Sequence, residues 1–438
     1  MATIAHIAEE MQNLLTNTAN YLGRETGFIQ RRRQVSGASF AQTIVFGYLA
    51  NPASSREELH QTAATIGLKI STPGLDKRFT KQAAVFLERL VAAALESVLF
   101  AEGEKPTIGD KFTSIRAVDT SQIALPSALA EVWPGCGGSD QRLTASVKIG
   151  VEWEVTQGQL CQLSLSRGRV QDQKTGIVQP ESVAGSLYLR DLGFFNLEQM
   201  KADAAQGAYF ISRWKVGTRL SDLNGEPIDL AHRLRQTPGD CLDQAVIIGA
   251  SPGLSGRMVA IRVPAVVAQQ RRRQLRQRAK KKKQPVSAQR LALADWSIFI
   301  TNIPAEMLTA EAVTIVVRWR WQIELLFKLW KSAGLLDEWR TTDPWRLLCE
   351  FYGKLLALIV QHALLLVSQG QPLRQSLPQA AQVIRKQAFH LASVLQDDDR
   401  LLAALNTLAQ TLAHSCQRQR RKAHPLAFQF WEECFCCP

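Results

Sequence analysis

Features that would direct this chain to a membrane or to secretion are missing from its sequence. The most apolar stretch, 355–367, is interrupted by Gln361 and His362 and is shorter than the ~20 apolar residues that a membrane-spanning helix needs. The first residues are polar and amphipathic rather than arranged as a signal peptide. We therefore expect a cytoplasmic protein with no membrane partner, in which 355–367 forms a buried helix.

A zinc-binding pattern is also missing. The eight cysteines are not combined with histidines at a spacing typical of zinc sites. Three of them, Cys434, Cys436 and Cys437, lie in the tail, which could bind a soft metal ion. A reduced terminus is the simpler interpretation of this tail.

Acidic residues are too few to balance the basic ones. The 438 residues include 52 Lys and Arg against 39 Asp and Glu, which gives a net charge of +13. A chain of this length can form two or three domains. A folded protein with so much positive charge most often binds nucleic acid.

The stretch 318–331 has two distinct faces if it forms a helix. At about 100° per residue, its charged residues fall within an arc of roughly 80°; they are Arg320, Glu324, Lys328 and Lys331. An apolar stripe about 100° wide lies elsewhere; it contains Trp319, Ile323, Leu326, Phe327 and Trp330. One face would anchor in a core, and the other would present a carboxylate among cations. An ordinary solvated surface is the alternative interpretation.

Two more acidic residues follow runs with strand character. The run 114–119 ends in Asp119, and the apolar run 186–191 ends in Asp191. Between them, 147–155 alternates apolar and polar residues and predicts a half-buried strand, which a turn connects to 160–166 as a hairpin. A single aspartate at a strand end is by itself a weak indication of a site.

The pattern Arg320-x3-Glu324-x6-Lys331 resembles the signature of IS4-family (DDE) transposases. The likeness extends over about 27–331 and includes the sequences around both aspartates. The family has a tyrosine three residues before the arginine, where this chain has Val317. The signature is therefore incomplete, and a hydroxyl that could contact a phosphate is missing.

The resemblance implies that Asp119, Asp191 and Glu324 are the catalytic residues and that they bind Mg²⁺ or Mn²⁺, as two ions. Hard cations of this kind prefer oxygen ligands, and two of them can stabilise both oxygens of an in-line displacement at phosphorus. Because neighbouring carboxylates raise one another's proton affinity, we expect the metal-free site to be weakened.

The cations of the signature have a separate implied role in binding DNA. Arg320 can clamp a phosphate through two nitrogens, and Lys331 and Lys328 can contact neighbouring phosphates. The family flips a base out of the duplex during hairpin formation, at a cost that stacking on an aromatic ring can offset. Trp296 is the candidate ring, with an ordinary core position as the alternative.

The resemblance also implies an α/β fold with three regions. Residues 1–105 form a helical N-terminal DNA-binding region, and 341–438 form a helical C-terminal region. The ribonuclease H-like catalytic core spans 106–340 and is interrupted by a β-rich insertion at about 195–295. Within this insertion, 271–283 is dense in Lys and Arg, which is typical of a surface that binds phosphates or of a solvated loop.

The N-terminal region contains two possible helix starts. Ser55 with Glu58 predicts a capping box, and 71–74 opens a second helix, which the apolar residues continue to Leu90. Such a pair resembles a helix-turn-helix that would present Lys77, Arg78 and Lys81 to phosphates. Ordinary helix packing is the alternative.

The sequence therefore predicts a bacterial, nucleoid-associated cut-and-paste transposase. Water would nick one strand at a terminal inverted repeat, the freed 3′-hydroxyl would attack the opposite strand, and the released end would join target DNA. Because two ends must be held together, we expect a homodimer on double-stranded DNA. The alternatives are an inactive DNA-binding copy and a metal-dependent nuclease without strand transfer.

Overall fold

A computed structural model describes residues 4–31, 34–99, 111–136, 144–178, 181–368, 374–420 and 429. The chain is a mixed α/β protein that divides into two compact units. The first unit contains Met1–Lys105, Thr120–Ile177 and Trp321–Phe428, and the second contains Pro106–Asp119, Val178–Arg320 and Gln429–Pro438. The tail cysteines lie outside the described residues. These units are defined by contacts between residues, whereas the three predicted regions are defined by their functions. The division into three regions stays a prediction.

Helices dominate the first unit. In its N-terminal part they are α1 (Ile4–Asn13), α2 (Ala19–Glu25), α3 (Gly37–Ala50), α4 (Arg56–Thr65), α5 (Thr72–Asp76) and α6 (Lys81–Leu99). In its C-terminal part, numbered along the whole chain, they are α12 (Trp321–Ser332), α13 (Pro344–Leu366), α14 (Leu377–Val394) and α15 (Asp398–Ser415).

The predicted buried helix at 355–367 is confirmed as the second half of α13. Helix α13 is long and apolar enough to cross a membrane, but its most apolar 18-residue stretch is completely buried inside the protein, as in a core helix. It packs on α3 and α6. At Gly353 the approach to α3 is so close that an added Cβ would lie 2.4 Å from Ile44 Cγ2, which favours glycine there.

The predicted capping box at Ser55 is confirmed, because its hydroxyl accepts from Glu58 N while Glu58 accepts from Ser55 N. The prediction of one continuous second helix from 71–74 to Leu90 is wrong. The chain ends α5 at Asp76 and starts α6 at Lys81. Thr80 explains the new start, since its hydroxyl accepts a hydrogen bond from Ala83 N and so caps the following helix.

The first unit also contains three strands in the order β3-β2-β1. Strand β1 (Ile115–Leu125) contributes its residues from Thr120 onward, and β2 (Ala145–Glu154) and β3 (Gln159–Arg167) form the predicted antiparallel hairpin. The expectation that the first hairpin strand is half-buried is wrong, because both faces of β2 are covered. The buried Glu154 is satisfied locally by Thr156 Oγ1 and Gln157 N.

The second unit holds the remaining strands, in the order β1-β4-β5-β9-β8-β7-β6. They are β4 (Leu187–Arg190), β5 (Tyr209–Arg213), β6 (Leu220–Ser221), β7 (Cys241–Ile248), β8 (Leu254–Arg262) and β9 (Trp296–Thr301). The pairs of β4 with β1 and β5 are parallel, and the others are antiparallel. The helices are α7 (Leu197–Ala205), α8 (Leu230–Gln236), α9 (Ala265–Lys281), α10 (Ala288–Ala292) and α11 (Ala310–Trp319).

The single helix predicted over 309–333 is wrong, because the chain forms α11 and α12 with Arg320 between them. Thr309 caps α11 as predicted, by accepting from Ala312 N. At the break, Arg320 N donates to Val317 O at 3.3 Å, which is the tighter i to i−3 bond that often closes a helix. Arg320 therefore lies at the end of α11, and Glu324 belongs to α12.

Candidate active site

The parallel pairing of β1 with β4 brings two of the predicted acidic residues to one edge of the second unit. Ile115 pairs with Leu187, and Ala117 pairs with Leu189. The ladder ends at this pair, and Asp119 and Asp191 each lie two residues beyond it along their own chain segments. Asp191 is extended, with φ −85° and ψ −179°. The topology therefore carries both acidic residues to the same end of the β1–β4 pair.

Asp119 is paired with the arginine of the signature. Its Oδ2 lies 3.4 Å from Arg320 Nη1, and the two side chains are 20% and 21% exposed. Both side chains are largely buried, and 3.4 Å is longer than a well-formed charge-assisted hydrogen bond. The structure therefore connects two residues for which the sequence predicted separate roles.

Asp191 is held by its own loop. Its Oδ1 accepts hydrogen bonds from Gly193 N at 2.7 Å and from Phe194 N at 3.2 Å, which caps the short 3₁₀ turn Leu192–Phe194. Both bonds fall on the same oxygen. The carboxylate consequently has a fixed orientation before any ligand arrives.

Glu324 lies in the first turn of α12 in the first unit and is half-buried. The predicted apolar stripe is confirmed, since Ile323, Leu326, Phe327 and Trp330 are all buried. Lys328 is exposed. The helix therefore anchors one face and leaves the face with Glu324 and Lys328 less covered.

Lys331 has a partner that the sequence did not predict. Its Nζ donates to Gln122 O in the distal half of β1 at 3.0 Å, between residues 209 positions apart. Farther along, Trp339 Nε1 donates to Ala124 O at 3.2 Å. Both donors hydrogen-bond to backbone carbonyls of β1 beyond Asp119. No local sequence pattern could have indicated these contacts.

The loop after α12 is fastened by a buried lysine. Lys354 is 2% exposed, and its Nζ contacts Glu350 Oε1 at 2.7 Å, Leu335 O at 3.1 Å and Glu338 O at 2.7 Å. A buried ammonium group needs such partners to offset lost hydration. Lys354 thereby fixes the chain that leads out of the Glu324 helix.

A second polar cluster in the first unit was also missed. Thr120, which directly follows Asp119, donates to Asp172 Oδ1 at 2.8 Å, and Lys148 Nζ contacts the same oxygen at 2.8 Å. Burial raises the pKa of Asp172, but the hydrogen bonds from Lys148 and Thr120 outweigh it and hold the pKa below its ordinary value. The cluster keeps β1 tied to the loop after β3.

The tryptophan predicted to stack on a base lies in a core. Trp296 is 6% exposed within an apolar cluster of the second unit, and the Arg262 guanidinium lies 4.5 Å from its ring centroid. The structure thus favours the core alternative for this residue. Trp321 is instead 57% exposed, and it is three residues before Glu324, a spacing that places both on one face of α12.

The basic run 271–283 is largely a surface helix. Within α9, Arg271 donates to Trp296 O and to Ser297 Oγ, both at 3.0 Å, and Arg272 forms an ion pair with Asp295. The other cations of the run are exposed; they are Arg273, Arg276, Arg278, Lys280, Lys281, Lys282 and Lys283. Two arginines therefore dock the helix, and the rest meet solvent.

Among the residues that the structure describes, no group of three or more His, Cys, Asp or Glu side chains is arranged to hold a metal ion. The pair at the β1–β4 edge nevertheless fits a hard divalent cation, which prefers carboxylate oxygens. Arg320 supplies positive charge beside Asp119 in the present structure.

Comparison with known proteins agrees with these features. The transposase DDE domain matches residues 110–360, and the chain belongs to this family. It is 29% identical to the transposase for insertion sequence element IS231F of Bacillus thuringiensis subsp. israelensis, covering 95% of this chain and 92% of the relative. The transposase for IS231C of B. thuringiensis subsp. berliner is 30% identical over 81% of this chain and 78% of its own.

A more distant relative is the transposase for IS1151 of Clostridium perfringens, which is 24% identical over 81% of this chain and 79% of its own. A cryo-EM structure of the piggyBac transposase synaptic complex with hairpin DNA aligns with 97% of this chain and 87% of that chain, at 9% identity and a TM-score of 0.48. The family predicted from the signature is confirmed: the chain is a DNA transposase, an enzyme that cleaves DNA and transfers the cut strands.

Proposed function

We propose that this transposase excises and inserts its own insertion sequence by acting at terminal inverted repeats, with Asp119, Asp191 and Glu324 as catalytic residues. The observation that carries the proposal is that Asp119 and Asp191 each follow the last pair of the parallel β1–β4 ladder by two residues, with Arg320 against Asp119. The relatives named above are transposases of insertion sequences, which supports the same substrate class.

The proposed fold assignment is a ribonuclease H-like core over 106–340 with a β-rich insertion at about 195–295. Parallel strands β1, β4 and β5, together with the antiparallel hairpin β2-β3, support the core. Strands β6 to β8 and helix α9 support the insertion. The helical regions 1–105 and 341–438 are assigned to DNA ends and to contacts within a homodimer.

The three carboxylates would hold two Mg²⁺ or Mn²⁺ ions, which would neutralise charge on the attacking and leaving oxygens. Arg320 would exchange partners when the ions and DNA bind. Its guanidinium lies 3.4 Å from the Asp119 carboxylate. A DNA phosphate would offer Arg320 two parallel hydrogen bonds, and its transfer would release Asp119 from this ion pair.

The DNA would be held by residues around this site. Lys328 is exposed for a phosphate. Lys331 donates one hydrogen bond to Gln122 O, and its ammonium group has further N–H donors for a phosphate. Trp321 offers the exposed ring on which a flipped base can stack, a type of contact worth about 1–3 kcal/mol per base. The exposed cations of α9 add affinity that does not depend on sequence.

The acid set is tested by replacing Asp119, Asp191 and Glu324 singly with Ala. Cleavage of an end-labelled terminal repeat in Mg²⁺ should fall by on the order of 1,000-fold or more, the scale of losing a group that stabilises transition-state charge. Gel shifts on the same DNA should be unchanged, since phosphate contacts remain. Exposed Glu311 on α11 gives a matched control, Glu311→Ala, which should cleave normally.

Full cleavage by any one of the three variants would remove that residue from the site. A wild-type protein that binds the repeat without cutting it would instead identify an inactive DNA-binding copy. Nicking without joining to a target duplex would identify a nuclease that lacks strand transfer.

A further inference from the structure

A buried ion pair lies next to Asp191 in the second unit. Arg190, the last residue of β4, contacts Asp203 of α7, with 2.5 Å between Nη1 and Oδ2. The two side chains are 3% and 0% exposed. The contact is a close ion pair rather than a well-aligned hydrogen bond.

Asp203 is surrounded by further donors. Its Oδ1 accepts from Ser182 Oγ at 2.6 Å and from Gln199 Nε2 at 3.1 Å. The Arg190 guanidinium also lies 5.3 Å from the centroid of the Tyr188 ring. Because buried charges are costly unless they are paired and hydrogen-bonded, this arrangement fixes the end of β4 against the last turn of α7.

The chain between the two partners carries Asp191. It leaves β4 at Arg190, forms the 3₁₀ turn capped by Asp191, enters α7 at a second cap made by Asn196, and reaches Asp203. Successive residues of an extended chain point to opposite faces, so the buried Arg190 and the half-buried Asp191 point away from each other. The ion pair therefore closes a loop whose outer side presents the carboxylate.

We infer that Arg190 and Asp203 are positioning residues that hold the Asp191 carboxylate in place for cation binding. The inference rests on the proposed function for Asp191. Groups that fix a metal ligand typically change metal affinity or activity 10- to 100-fold when they are replaced. Loss of the pair should leave Asp191 present but misplaced.

The test is Asp203→Asn in the full-length protein, because the amide can still bond Ser182 and Gln199 but no longer pairs with the arginine. The concentration of Mn²⁺ that gives half-maximal cleavage of a labelled terminal repeat should rise about tenfold or more. In the DNA-free protein, hydrogen exchange of a peptide covering 191–196 should speed up, because Gly193 and Phe194 lose their fixed acceptor.

Asp243→Asn is the matched control. It breaks another Arg–Asp pair of the second unit, in which Arg257 Nε and Asp243 Oδ1 lie 2.6 Å apart. It should leave both the Mn²⁺ requirement and the exchange of 191–196 at wild-type values. Arg190→Lys, which keeps the charge but loses the guanidinium fork, should shift both readouts in the same direction as Asp203→Asn and serves if that variant does not fold.

Wild-type exchange at 191–196, or a Mn²⁺ requirement within twofold of wild type, would overturn the inference. Failure of the proposed function is distinguishable, since Asp191→Ala would then retain cleavage whatever Asp203→Asn does. If Asp191→Ala is inactive and Asp203→Asn behaves like the control, only the positioning role is lost.

Discussion

The two units hold their predicted catalytic acids by different means. In the second unit, Asp119 belongs to β1, which backbone hydrogen bonds hold in the sheet, and Asp191 lies in a segment closed by the Arg190–Asp203 ion pair. In the first unit, Glu324 belongs to a helix whose placement depends on side chains, including Lys331 on Gln122 O and Lys354 on the following loop. Substitutions near Asp119 should therefore have smaller effects than substitutions of the side chains that hold Asp191 and Glu324.

Among substitutions that test this difference, Lys354→Met should change the free energy of unfolding most. Replacing Lys354 with Met leaves Glu350 buried without its cation, and breaking one partner of a buried pair typically costs about 3–5 kcal/mol. Lys354→Met should lower the free energy of unfolding by that amount in urea denaturation. The double variant Lys354→Met/Glu350→Leu should recover much of the loss, because no charge is left unpaired.

The control for this prediction is Asp397→Asn, which breaks the exposed pair with Arg400 and should cost under about 1 kcal/mol. A Lys354→Met protein that is as stable as this control would mean that the loop after α12 does not depend on the ion pair.

A smaller effect is expected for the pH dependence of stability, which should differ between the two units. His362 in α13 is completely buried against the Trp153 ring, and burial lowers its pKa to about 4. The unfolded chain binds this proton near pH 6.5, so stability present above pH 6.5 is lost as the pH falls towards 4. The loss should be on the order of 3 kcal/mol. His232 in the second unit is exposed and should contribute nothing comparable.

Urea midpoints measured by tryptophan fluorescence from pH 7.5 to 4.5 would check this. The variant His362→Gln should flatten the decline, whereas His232→Gln should not change it. A decline that persists in His362→Gln would assign the pH dependence to other groups.

The smallest effect concerns DNA and involves the second unit. Changing four exposed cations of α9 to Gln, at Arg273, Arg276, Arg278 and Lys280, should weaken binding without preference for sequence. The slope of log affinity against log salt should flatten by up to about 0.9 for each lost phosphate contact. Binding isotherms at several salt concentrations would measure the slope.

The matched change is four Gln substitutions at exposed cations of the first unit, Arg24, Lys69, Arg89 and Arg400. This protein has the same net charge as the α9 variant. Because Arg24, Lys69 and Arg89 lie in the region assigned to DNA ends, equal flattening in the two proteins would mean that both surfaces contact phosphates. A wild-type slope in the α9 variant would show that α9 is a solvated face.

Local patterns in the sequence predicted much of the fold. The Ser55 capping box, the β2-β3 hairpin and the apolar stripe of α12 each depend on residues within a few positions of one another, where periodicity and capping chemistry apply. The strand-end position of Asp191 belongs to the same group. The predicted strand end at Asp119 is wrong, because β1 continues past it to Leu125.

The failures lie where distant contacts or single residues decide the outcome. The break at Arg320 interrupts an otherwise perfect helical pattern, and Thr80 divides a second one. The burial of Trp296 depends on strands and an arginine far from it in sequence. The partner of Lys331 is 209 residues away, and periodicity is visible only among residues close together in sequence.

The packing of α3 on α13 has a consequence for the time course of synthesis. Helix α3 is buried over nearly its whole length, and α13 covers part of it. Roughly 300 residues separate the two helices, so a ribosome adding about 5–20 residues per second needs on the order of 15–60 s to supply the partner. For that interval the nascent chain carries an apolar helix whose cover has not yet been made.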